Sequence, residues 1–140
     1  MKNLYVMLPE KIGTIDKNIY GQFAEHIGGV MYDGLWVGED SPVPNIGGWR
    51  KEAVEKLRAI HVPVLRWPGG CFAETYHWRD GIGPREKRPT RLSWWGYEDG
   101  RTESNAVGTH EFVHLCRLVG AEPYFAVNIT TMTPMDARDW

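Results

Sequence analysis

The sequence predicts an α/β fold, the first three or so βα units of a (β/α)8 barrel with one short strand in front. Three observations carry this. Short apolar runs alternate with amphipathic segments in the order βαβαβα. The connections from helix to strand are short. Those from strand to helix are long and rich in glycine, proline and tryptophan. A βαβ repeat implies parallel strands with right-handed crossovers, and elaboration confined to one end of such a sheet places a site at the carboxyl ends of the strands.

Taken in order, residues 4–8 read as a brief strand closed by Pro9. Residues 12–16 lead into a second strand over 18–24, which finishes in Glu25-His26-Ile27-Gly28-Gly29. The long loop 30–48 carries Tyr32 and Trp36 among its glycines and prolines, with Trp49 just behind, which favours an ordered, functional loop. A helix is expected over 49–60: Ala53, Val54, Leu57 and Ile60 share one face, and Lys51, Glu52, Glu55, Lys56 and Arg58 take the other. Residues 62–67 have the β-branched character of a buried strand, ending on Arg66-Trp67 and turning on Pro68-Gly69-Gly70 into Cys71 and Phe72. Pro68 cannot donate to a ladder, and the two glycines permit backbone conformations that a Cβ would forbid. A second long loop, rich in tryptophan and arginine, fills 72–108. Thr109 is placed to cap a helix over 110–119 that stops at Gly120, and residues 122–128 form a third parallel strand ending on Asn128. Thr133-Pro134-Met135-Asp136 is a helix start with a cap, a proline at the first position and an acid three residues on. That helix reaches Trp140 about two turns in, with no stop signal. The sequence is therefore expected to be part of a larger domain, with residues 1–16 a strand and lead-in and 17–140 a truncated barrel.

Sixteen basic against eighteen acidic residues, a net charge of -2, leave no footprint for nucleic acid or an anionic membrane. No run suits a signal peptide or a membrane span, and Cys71 and Cys116 lack C-x-x-C spacing, so a reducing compartment, the cytoplasm, is expected. Seven tryptophans, most of them in loops, either offer flat faces to sugar rings or plug the end of a sheet. His110-Glu111-Phe112-Val113-His114 matches the H-E-x-x-H pattern of zinc peptidases. At about 100° per residue, however, Phe112, Leu115, Cys116 and Val119 form the apolar face, and His110 and His114 point away from it with no third ligand evident. A metal role is the weakest reading. His26 and His77 stand in loops at the site end, where either suits a ligand hydrogen bond. His61, between helix and strand, reads as structural.

A resemblance sharpens this. Ile19-Tyr20-Gly21-x-Phe23-Ala24-Glu25-His26, Gly34-x-Trp36-Val37-Gly38, Arg66-Trp67-Pro68-Gly69-Gly70-Cys71-Phe72 and Trp78-Arg79-Asp80-Gly81-Ile82-Gly83-Pro84-Arg85 follow one another in a familiar order. Gly108-Thr109-His110-Glu111-Phe112 and Glu122-Pro123-Tyr124 follow them. Together they resemble the amino-terminal part of the α-L-arabinofuranosidases of glycoside hydrolase family 51. The resemblance runs over nearly the whole chain but only the first third or so of such an enzyme. It implies a (β/α)8 barrel with a carboxy-terminal β-sandwich that the strand at 4–8 would join.

Family members remove terminal arabinofuranosyl groups from arabinan, arabinoxylan or their oligosaccharides with retention, need no metal or other cofactor, and commonly form hexamers. Retention requires two carboxyl groups about 5–5.5 Å apart. In the family these are glutamates on later strands, the acid/base in an Asn-Glu pair. The sequence contains no Asn-Glu dipeptide, so no catalytic residue is assigned within it and the isolated chain is expected to be inactive. The glycone pocket does carry over. Glu25 matches the glutamate that hydrogen-bonds arabinose hydroxyls, and Cys71 takes a position held by asparagine or cysteine. Trp95, or its neighbour Trp94, lies where an aromatic faces the substrate, and Asn128 is a supporting residue at the third strand end. A non-catalytic sugar-binding module is the alternative, supported by the tryptophans and the missing carboxylates.

Overall fold

The structure, a computed structural model, describes residues 2–93 and 100–140. Its centre is a three-stranded parallel sheet in the order β1 (Gln22–Phe23), β4 (Val64–Trp67), β7 (Glu122–Phe125). Helix α1 (Lys51–Ala59) links the first two strands and α2 (Thr109–Val119) the last two, giving the expected α/β connectivity. Two small antiparallel ribbons sit in the long connections. The first pairs β2 (Asn45–Ile46) with β3 (Trp49–Arg50), and the second β5 (Arg91–Leu92) with β6 (Thr102–Glu103). Helix α3 (Pro134–Asp139) closes the chain.

The register aligns Phe23, Arg66 and Tyr124 in one row. Period-two alternation sends these to one face and Leu65 and Trp67 to the other. The Leu65 face is packed. Val54 of α1 and Phe112, Leu115, Cys116 and Val119 of α2 are buried against it, and Trp67 stacks on Phe112 with centroids 5.1 Å apart. The Arg66 face is open: Phe23 and Tyr124 are 49% and 54% exposed, with the Arg66 guanidinium 4.5 Å from the Phe23 ring centroid. Parallel sheets are ordinarily covered on both faces.

Several boundaries differ from those the sequence predicts. The strand expected over 4–8 does not form. Leu4 and Leu8 are 91% and 87% exposed, and an extended segment becomes a strand only when a neighbour pairs with its N–H and C=O groups, which none of the described residues does. The strand expected over 18–24 begins instead as a 3-10 turn, Lys17–Tyr20. The Asp16 carboxylate accepts from the Asn18 N–H at 2.8 Å there, a local bond that competes with the ladder. Trp49 and Arg50 belong to a hairpin rather than to the helix, because Gly47 and Gly48, at φ 56° and 87°, make the two-residue turn that matches strand twist. Ile60 lies past the end of α1 and is exposed.

Thr109 is the first residue of α2 rather than its cap. Its hydroxyl accepts from Trp140 Nε1 at 2.8 Å, and the Gly108 N–H is satisfied by Glu111 Oε2 at 2.9 Å. The Thr133 cap, Pro134 and Asp136 behave as expected, with the Thr133 N–H donating to Asp136 Oδ2 at 3.0 Å. His110 and His114 are both exposed, opposite the buried face of α2.

Candidate functional site

The ends of β1 and β4 converge on one carboxylate. Glu25, just past β1, is half-buried, and its Oε1 accepts from the Gly70 N–H at 2.9 Å and the Phe72 N–H at 3.2 Å. Two main-chain donors, two residues apart, form a small anion cradle here. It exists because β4 turns on Gly69: a Cβ there would stand 2.7 Å from Glu25 Cγ and 2.9 Å from Oε1. Among the described residues only Oε1 of this carboxylate is engaged, and Oε2 has acceptor capacity for hydroxyl or N–H donors. Cys71 lies between the two donating amides as the first residue of a 3-10 turn, Cys71–Glu74, and is exposed. Glu25 and Cys71 are thus brought together. Cys116, by contrast, is packed in the core face of α2, where burial pushes its thiol up to about 12.

Asn128 is buried and fully occupied. Its Nδ2 donates to the Tyr76 carbonyl at 3.1 Å and to Thr131 Oγ1 at 2.8 Å, and its Oδ1 accepts from the N–H groups of Thr130 and Thr131 at 3.0 and 2.9 Å. It therefore shapes the loop after β7 and ties it to the loop after β4. Trp94 and Trp95 lie outside the described residues. Of the other tryptophans, Trp36, Trp49 and Trp67 are buried and Trp78 and Trp140 partly so, which makes them plugs of the sheet end rather than open stacking surfaces.

His26 corrects its sequence reading as a ligand-binding histidine, because both ring nitrogens are engaged inside the protein. Trp67 Nε1 donates to His26 Nε2 at 2.9 Å. An indole N–H can only donate, so Nε2 carries no proton and Nδ1–H donates to Glu103 Oε2 at 2.8 Å. The buried Glu103 carboxylate also accepts from the Asn105 N–H at 2.7 Å and from the Tyr32 hydroxyl. Burial, followed by the Glu103 charge, pushes the Tyr32 phenol far above its usual range, so it stays protonated and donates. Nothing in the sequence flags Glu103, which lies 77 residues from His26 in an unremarkable Thr-Glu-Ser-Asn stretch. A cavity of about 300 Å³ opens beside this network, lined by Phe72, His77, Asp80, Arg91 and Glu103, and it is His77 rather than His26 that faces it.

Residues 56–138 match the family model described as the alpha-L-arabinofuranosidase 1 domain. The chain belongs to this family, that of the glycoside hydrolase family 51 arabinofuranosidases. It is 53% identical over 127 residues to the intracellular exo-alpha-L-arabinofuranosidase of Bacteroides ovatus, covering 90% of this chain and 24% of that protein. Among solved structures, the family 51 arabinofuranosidase of Xanthomonas axonopodis pv. citri superposes with a TM-score of 0.84 at 50% identity, covering 89% of this chain and 25% of that one. The alpha-L-arabinofuranosidase of Thermotoga maritima, solved as an arabinose complex, gives 0.79 at 45% identity, with 86% and 24% covered. The chain therefore spans about a quarter of the length of these relatives and corresponds to their amino-terminal region.

Proposed function

We propose that a protein containing this chain is a retaining, exo-acting α-L-arabinofuranosidase that removes terminal arabinofuranosyl groups from arabinan or arabinoxylan oligosaccharides. Glu25 is the observation that carries this reading. One carboxylate oxygen is anchored by two main-chain amides and the other is left for substrate. An ionised carboxylate held in this way makes strong hydrogen bonds to sugar hydroxyls. Cys71 forms pocket wall beside it, Asn128 supports the wall by holding its loop, and the substrate-facing aromatic that the resemblance implies falls to Trp95 or its neighbour Trp94. Acid/base and nucleophile glutamates are supplied by residues outside these 140, and no cofactor or metal takes part. The sheet is the first part of a (β/α)8 barrel whose open Arg66 face is covered by later strands, and residues 4–8 join a carboxy-terminal β-sandwich. The whole protein works in the cytoplasm as a homo-oligomer, a hexamer in the family pattern. The sugar-binding module is set aside, because the relatives are named as hydrolytic enzymes.

The test is Glu25→Ala in the full-length protein, assayed on p-nitrophenyl α-L-arabinofuranoside. Loss of the charge-assisted hydrogen bonding that Glu25 offers the sugar should lower kcat/KM about 100-fold or more. An unchanged kcat/KM would remove Glu25 from the pocket.

A further inference from the structure

We propose that His26 and Glu103 are positioning residues that hold the Glu25 carboxylate in place through the turn after β4. This rests on the reading of Glu25 as the sugar-holding carboxylate. The linkage is continuous. Glu25 is fixed by the amides of Gly70 and Phe72. The Phe72 ring stacks face to face on His26, with centroids 4.5 Å apart and planes inclined by 12°. His26 is clasped to the same turn three ways: its backbone N–H donates to the Pro68 carbonyl at 3.1 Å, its Nε2 accepts from the Trp67 indole, and its ring carries Phe72. Of the orientations open to the imidazole, one makes the Trp67 and Phe72 contacts together. Glu103 selects the one that keeps them all, because its carboxylate is the acceptor that Nδ1–H requires once Trp67 occupies Nε2.

Glu103 is fixed in its turn by donors from two other regions, the Tyr32 hydroxyl in the loop after β1 and the Asn105 amide just past β6. Each of its oxygens is thereby directed: Oε2 to His26, and Oε1 to Tyr32 and Asn105. The arrangement makes the ribbon of β5 and β6 a brace for the pocket rather than decoration. None of these side chains has to touch the sugar. They act by limiting where Phe72, and with it the second amide donor to Glu25, can stand. A buried polar network of this kind rigidifies when every member is satisfied and fails when one is removed.

Glu103→Leu, Glu103→Gln and Tyr32→Phe, made in the full-length protein, separate this from a general stability effect. Each is assayed on p-nitrophenyl α-L-arabinofuranoside well below its melting temperature, and each crystal structure is examined for the distance from Glu25 Oε1 to the Gly70 and Phe72 amides. Glu103→Leu is expected to lengthen both contacts beyond hydrogen-bond range and raise KM about tenfold while kcat changes less, the pattern of lost ground-state binding. Glu103→Gln keeps a carbonyl acceptor for Nδ1–H but turns its NH2 toward the Asn105 N–H, so its KM should fall between those of wild type and Glu103→Leu. Tyr32→Phe, the milder lesion, should give an intermediate KM and serves if Glu103→Leu does not fold. Unchanged Glu25 contacts and KM in Glu103→Leu, or in Tyr32→Phe where it stands in, would overturn the proposal. If wild type itself does not hydrolyse the arabinoside, the functional reading fails, and the Glu25 contacts in the variant structures still decide the positioning role.

Discussion

Glu25 owes its position to the missing side chain at Gly69. A methyl group there would press on Glu25 Cγ and Oε1, the flexible part of a side chain, and not on rigid backbone. Gly69 also sits at φ 158°, where an L side chain is strained, so Gly69→Ala should cost about 1–3 kcal/mol in urea unfolding as well as displacing the carboxylate and raising KM about tenfold. The start of α3 shows a different residue-scale device. The Thr133 hydroxyl, then its backbone N–H, then Arg79 hold the Asp136 carboxyl down to about 2. Because the folded value lies below the ordinary 3.8, the contribution is present in full above that value and is lost as pH falls through about 2. The stability gap between wild type and Asp136→Asn should accordingly be constant above about pH 5 and close on acidification towards pH 2. Thr133→Ala should cost about 1 kcal/mol at neutral pH, read as a shift of the urea midpoint. Glu25 was legible in the sequence because a β-run ended on an acid and a Gly-rich turn. Glu103 was not: its partners come from three distant segments, and no periodicity or spacing joins them.

At the scale of elements, the excursion between β4 and α2 is held by arginines rather than by regular structure. The Arg88 side chain is only 4% exposed and donates to the Gly83 and Asn105 carbonyls and to both oxygens of Glu111. Burial pushes the Glu111 carboxyl up, but the Arg88 bond and the Gly108 N–H outweigh it, and the group is held below its usual value. Arg88→Ala leaves that carboxylate without its buried counter-charge and should cost about 3 kcal/mol in chemical unfolding. The helices themselves could be read from the sequence, since α1 and α2 each present one apolar face at a 3.6-residue period. Strand boundaries could not. Residues 4–8 have strand character and no strand, because pairing depends on a partner rather than on the segment. Trp49 and Arg50 look helical in pattern and are claimed by the glycine hairpin before them. Thr109 looks like a cap, but its hydroxyl is taken by Trp140, 31 residues away.

For the whole molecule, the decisive asymmetry is that one face of the sheet is packed and the other is not. Helices α1 and α2 cover Leu65 and Trp67, while Phe23, Arg66 and Tyr124 stand on an open face, and Leu4, Leu8 and Ile12 are exposed as well. In isolation, residues 1–140 should bind a hydrophobic dye and aggregate without a defined size, and the full-length protein should bind no dye and run as a single discrete oligomer, as dye fluorescence and gel filtration would record. The same asymmetry fits a chain that spans about a quarter of its relatives' length, and under the proposed function the work is divided so that this part holds the glycone and the reacting carboxylates come from the rest. Hydrolysis of p-nitrophenyl α-L-arabinofuranoside, measured side by side for residues 1–140 and for the full-length protein, tests that division most directly. Turnover by the full-length protein with none by residues 1–140 is the expected result. Hydrolysis by residues 1–140 alone would contradict it and move the search for the catalytic pair inside this chain, starting from Glu25 and Glu74.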